Sequence, residues 1–153
     1  MIFWVLRQSR FAMTNDSLIS RFDFNKTYRT HFDRLFVFVD GGHCEIKERP
    51  NTENIIIPNM TLAGWWSDDK AFCEFIDFVS IVERPKFIVL AEVESIQKFN
   101  EIRVINADRV SLETLLQDSF LPHFNAVCFD DSEPWCAIFD NYKECIFINR
   151  LKK

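Results

Sequence analysis

The feature that most constrains this chain lies in its last third. Three β-rich runs, residues 124–129, 135–140 and 144–149, are separated by short polar turns in "FNAVCFDDSEPWCAIFDNYKECIFINR". Connections this short can only return a strand antiparallel to its predecessor, because a parallel return needs a crossover of a dozen or more residues. A three-strand meander is therefore predicted here, and the rest of the fold must be built around it.

Upstream, "LFVFVDGGHCEIKE" (35–48) places Asp40-Gly41-Gly42 between two β-rich segments, a strong hairpin signal. "RPNTEN" reads as a loop, "IIIPNMTL" as a short strand broken by Pro58, "KFIVLAEV" (86–93) as a buried strand and "EIRVINA" (101–107) as another. Residues 14–34 are mixed and polar, with helix expected over part of them. Phe72, Phe75, Ile76, Val79 and Val82 recur at helical spacing, with Ser67 as N-cap and Pro85 as stop, so a helix is predicted near 68–83. A second is predicted near 111–120, with Ser111 as N-cap and Leu112, Leu115 and Leu116 facing inward. The expectation is one α+β domain over residues 1–153, with a mainly antiparallel sheet and two or three packed helices. Residues 1–13 are expected as an extension outside the core, and Met13 is an alternative start.

Composition narrows the function. The chain has 153 residues, 17 of them Phe and only three Gly, at positions 41, 42 and 64. These three glycines cannot build a phosphate-cradling loop, which needs close backbone approach. The net charge is −5, which argues against a nucleic-acid binder, whose surface neutralises phosphates with Lys and Arg. No apolar run approaches the roughly 18 residues of a membrane helix. The apolar run at 2–6 is too short for a secretory signal core, and Arg7 and Arg10 lie on its wrong side. Five cysteines without a CxxC pair suggest a reducing compartment, so a soluble cytoplasmic protein is expected. A disulfide between Cys128 and Cys136 across the hairpin is sterically conceivable but not expected.

No catalytic or metal-binding signature appears. His31, His43 and His123 show no ligand spacing. His43 and Cys44 are adjacent, and neighbours in a strand point to opposite faces, so Cys44 is expected inward and His43 outward rather than paired for nucleophilic attack. No cofactor, metal or enzymatic activity is expected.

Charge is uneven. Residues 111–149 carry Glu113, Asp118, Asp130, Asp131, Glu133, Asp140 and Glu144 against Lys143 alone. A one-signed surface attracts oppositely charged partners. The loop Asp130-Asp131-Ser132-Glu133, closed by Pro134 and Trp135, has two readings. It is a solvated turn, made of residues that favour turns. Or it presents Asp130, Asp131 and Glu133 to a basic partner, with Trp135 as an interface anchor. In the second case neutralising the three acids should leave folding intact. Asp68, Asp69 and Trp66 are the next candidates; the two acids also suit the first turn of a helix.

The small, acidic, Gly-poor chain resembles bacterial immunity proteins of polymorphic or contact-dependent growth-inhibition toxin systems. The resemblance rests on "GWWSDDKAFCEFIDFV" and "AVCFDDSEPWCAIFD". It implies one cognate toxin as partner, basic and often a nuclease, blocked by direct binding. The alternatives are a small-ligand or enzymatic domain with a carboxylate/His site assembled in space, or a non-inhibitory subunit of a larger complex. A deep pocket lined by carboxylates and His31 or His43 would favour an enzyme.

Overall fold

A computed structural model describes residues 15–57, 88–107 and 125–152, apart from Ser132, Pro134 and Asn141. The helices predicted near 68–83 and 111–120 lie outside these residues, as do Trp66, Asp68 and Asp69. The described chain is α+β. Its main sheet has seven strands, β1 (Asn15–Ser20), β4 (Thr52–Ile57), β5 (Ile88–Glu92), β6 (Glu101–Ala107), β7 (Ala126–Asp130), β8 (Trp135–Asp140) and β9 (Cys145–Leu151). Their order is β1-β6-β5-β7-β8-β9-β4, and every neighbouring pair is antiparallel. The predicted meander is β7-β8-β9. A separate hairpin, β2 (Phe36–Val39) with β3 (His43–Ile46), packs against β8.

The central strands β5, β7 and β8 are apolar on both faces, which is why they read as continuous runs rather than alternating ones. Val89, Ala91, Val127, Phe129, Cys136 and Ile138 face one core; Ile88, Leu90, Ala126, Cys128, Trp135, Ala137 and Phe139, on the opposite face, are buried too. Two short helices, α1 (Arg21–Thr27) and α2 (Arg29–Leu35), cover the first face. The abundance of Phe has its use here. Phe24, Phe32 and Phe36 stack in sequence, with ring centroids 6.3 and 5.3 Å apart, and Phe36 meets Phe129 edge-on at 5.8 Å. Such pairs add roughly 0.5–1.5 kcal/mol each beyond the area they bury.

Helix ends are satisfied locally. The Ser20 hydroxyl accepts the Asp23 N–H at 3.1 Å and caps α1. A third helix, α3 (Val93–Lys98), ends under Arg21, whose guanidinium donates to the carbonyls of Ser95, Ile96 and Phe99 at 3.2, 2.8 and 2.5 Å. The last carbonyls of a helix run out of donors within it, although that of Ser95 also accepts the Phe99 N–H at 3.1 Å, and a cation there suits the negative end of the helix dipole.

Three expectations are corrected. The strand predicted over 86–93 stops at Glu92, because Val93 begins α3 and buries itself with Ile96 one turn on. Part of 14–34 is helical as expected, but its start forms the edge strand β1. "RPNTEN" is a loop only in part, since Thr52, Glu53 and Asn54 belong to β4. Both strands are polar at these positions and lie at the ends of the described sheet, where alternation is a weak signal and polar residues suit an edge.

Candidate functional site

The acidic turn between β7 and β8 is built into the molecule. Asp130 is 0% exposed, and its Oδ1 accepts the Glu133 N–H at 2.8 Å. That bond closes the turn and holds Glu133 at φ 60°, a left-handed conformation that costs a non-glycine residue about 1–2 kcal/mol. From there the Glu133 carboxylate takes the Arg34 Nε–H at 2.8 and 3.0 Å and lies 3.2 Å from His31 Nδ1. The hydrogen bond to Glu133, and next its charge, raise the pKa of the Arg34 guanidinium. Arg49 Nη1 donates to the Glu133 carbonyl at 2.6 Å, while its Nε and Nη2 donate to Asn149 Oδ1 at 2.8 and 2.6 Å. Asn149, buried in β9, donates in turn to Asn54 Oδ1 at 2.8 Å and Thr52 Oγ1 at 3.0 Å.

The exposed disposition expected of this loop is therefore corrected. Asp130 is inside. Glu133 is engaged by α2. Trp135 is 2% exposed and belongs to the core. Asp131 is half-buried. A chain spacing of 99 residues separates Arg34 from Glu133, and nothing in the sequence marks them as partners.

The hairpin makes the other candidate. Gly41 and Gly42 sit at φ 82° and 79°, and a Cβ on Gly42 would come within 2.6 Å of the Gln97 side chain. The tip thus lies against α3, which suspends the hairpin over the sheet. Beneath it is an open cleft of about 640 Å³. Its apolar lining includes Val93, Ile138, Ile46 and Phe147; Asn54, Ile55 and Ile56 of β4 form one side. Asp40, His43, Glu45, Asp140 and Lys143 supply the charged and titratable groups. The Asp140 Oδ1 accepts the Lys143 N–H at 2.9 Å, and Lys143 Nζ lies 5.4 Å from the centre of the Phe147 ring. Asp40 and Glu45 are exposed and make no ion pair among the described residues. Of the cleft's acids, sequence reasoning noted only Asp140 as a charge. The alternation in β3 was the available signal for Glu45.

His43 is exposed and Cys44 half-buried, as strand alternation predicts. Burial pushes the Cys44 thiol up to about 12, with the charges of Cys136 and Glu45 adding to it. Such a thiol stays protonated at neutral pH and is not a nucleophile. Cys136 is likewise pushed up to about 12, chiefly by burial. Cys128 and Cys136 point to opposite faces of the sheet, so no disulfide can join them without moving backbone. Among the described residues no cluster of three or more His, Cys, Asp or Glu side chains is placed to hold a metal ion, and no helix is long and apolar enough to cross a membrane.

No protein-family model matches the chain, and neither a curated protein nor a solved structure matches it.

Proposed function

We propose that this is a binding protein whose recognition site is the cleft beneath the β2-β3 hairpin, and that its partner is positively charged. One observation carries the reading: the carboxylates of Asp130 and Glu133 in the β7-β8 turn are engaged within the molecule, whereas Asp40 and Glu45 stand at a concave, largely apolar cleft without an ion pair among the described residues. Concave sites with a few convergent polar groups are where ligands bind. Three carboxylates against Lys143 favour a cation. An immunity protein that masks a basic toxin is consistent with this in one form, in which the toxin engages the cleft rather than the 130–133 loop. The expected mode is binding, since the thiol that lines the cleft is held protonated.

The test is calorimetry with the basic proteins encoded beside this chain. The cleft variant Asp40→Asn/Glu45→Gln/Asp140→Asn should weaken binding at least tenfold, and Asp131→Asn should leave it unchanged. The reverse result would return the site to the turn. A second reading, a small-ligand pocket, is favoured by the cleft's volume, which falls in the range of such sites. It predicts that small organic cations shift the amide resonances of Ile46, Ile138 and Phe147 and leave those of β7 in place.

A further inference from the structure

The cleft runs along the last strand of the described sheet. β4 pairs with β9 on one side, from Thr52 opposite Leu151 to Ile57 opposite Ile146, and no described strand lies on its other side. The phase of the ladder follows from one bond. Lys152 donates its N–H to the Asn51 carbonyl at 2.8 Å. Asn51 and Lys152 are directly opposite in this register, so they form a hydrogen-bonded pair. Pairs alternate along antiparallel strands. Glu53 and Ile55 therefore exchange bonds with β9, and Thr52, Asn54 and Ile56 direct their N–H and C=O groups outward. The side-chain contact of Asn149 with Asn54, at 2.8 Å, agrees with this phase, because side chains approach closest in the pairs that do not exchange backbone bonds.

Asn54 and Ile56 thus carry two properties at once. Their outward backbone groups match what an added strand needs. Their side chains line the cleft, and Ile56 is 58% exposed although it is an isoleucine on an edge. A strand laid beside β4 would place every second side chain on the cleft face of the sheet. Edges of this kind are usually protected by charge, proline or a bulge. Glu53, the charged residue in β4, has its carboxylate held by Arg150 at 2.7 Å.

We propose that an extended, basic polypeptide segment of a partner protein docks along β4 as a further strand, with alternate Lys or Arg side chains reaching Asp40, Glu45 and Asp140. This rests on the reading of the cleft as the recognition site. Main-chain bonds to β4 would supply affinity, and the cleft would supply the preference for cations. The segment's charge is argued from complementarity with the three carboxylates, and its extended form from the ladder phase.

The experiment uses a fluorescein-labelled twelve-residue peptide of alternating Lys and Val, read by fluorescence polarisation against the full chain. Two further peptides are N-methylated, one at every Lys and the other at every Val, so that each removes the N–H groups along one edge. An added strand predicts that one of them loses at least tenfold in affinity and the other binds like the parent. Ile56→Pro should produce the same loss; its own N–H faces outward, so no bond to β9 is removed, and circular dichroism checks its fold. Asp40→Asn/Glu45→Gln should weaken the parent peptide and flatten its salt dependence. If both N-methylated peptides bind like the parent while the charge variant weakens it, strand addition is wrong and the cleft reading stands. Competition by hexylamine at equal concentration assigns the cleft to small cations and overturns the peptide proposal. Failure of the parent peptide to bind at millimolar concentration overturns both.

Discussion

Two acidic regions of this molecule, the β7-β8 turn and the cleft under the β2-β3 hairpin, put the same residue type to different uses. In the turn, Asp130 is buried and closes the backbone, and Glu133 is gripped by Arg34 and Arg49. In the cleft, Asp40 and Glu45 stand exposed beside apolar surface. The sequence offers the turn as the more conspicuous candidate, because four polar residues interrupt two apolar runs. The difference teaches that the density of acids along a chain says little about where negative charge is displayed. What decides is which cations the fold brings alongside, and here these come from α2 and from the segment after β3.

That contrast can be broken most violently at Trp135. If it belongs to the core, Trp135→Ala should destabilise by about 3–5 kcal/mol, measured by urea denaturation. An interface anchor would lose partner affinity with little change in stability. Asp130→Ala comes next. It leaves the Glu133 N–H without its acceptor and should cost about 1–3 kcal/mol, whereas Asp130→Asn, which keeps an Oδ1, should cost less. A smaller gain is expected at Glu144, which holds φ 51° in the exposed β8-β9 turn. Glu144→Gly should stabilise by about 0.4–1 kcal/mol in the same assay, since glycine adopts that conformation without strain.

Cysteine chemistry sharpens the cleft side. With its folded pKa pushed up to about 12, Cys44 should be ~0.1% thiolate at pH 9, where an ordinary thiol is largely ionised. Iodoacetamide should therefore label it slowly at pH 9 in the folded protein and quickly once unfolded. The sign for stability follows. The folded state holds this proton more tightly than the unfolded chain, so stability falls as pH rises above the unfolded thiol value near 8.5 and continues to fall toward 12. Rapid labelling of the folded protein at pH 9 would contradict the buried setting of this thiol.

Much of the sheet was legible. β5, β6, β7, β8 and β9 announce themselves through β-rich runs bounded by turn residues, and Asp40-Gly41-Gly42 marks the hairpin because only glycine accepts two successive positive φ values readily. What sequence reading missed depends on contacts distant along the chain. β1 is polar and owes its place to pairing with β6. α3 follows β5 with no capping side chain to announce it. The cleft was less legible still. Asp40 reads as a turn residue and Glu45 as the polar half of an alternating strand, and only the packing of the hairpin across β8 sets them beside Ile138 and Phe147. The internal role of Glu133 was invisible for the same reason, since Arg34 lies 99 residues away in the chain.

Thermal unfolding of two triple variants tests the central contrast most directly. One is Asp130→Asn/Asp131→Asn/Glu133→Gln in the turn; the other is Asp40→Asn/Glu45→Gln/Asp140→Asn in the cleft. Each removes three negative charges at nearly constant shape, and the change Asp140→Asn keeps the side-chain oxygen that accepts the Lys143 N–H. The account predicts a clear fall in Tm for the turn variant, on the order of 3–8 °C for a loss of about 1–2 kcal/mol in a chain of this length, and a shift within about 2 °C for the cleft variant. Equal stability of the turn variant and the wild type, with the cleft variant destabilised, would contradict it.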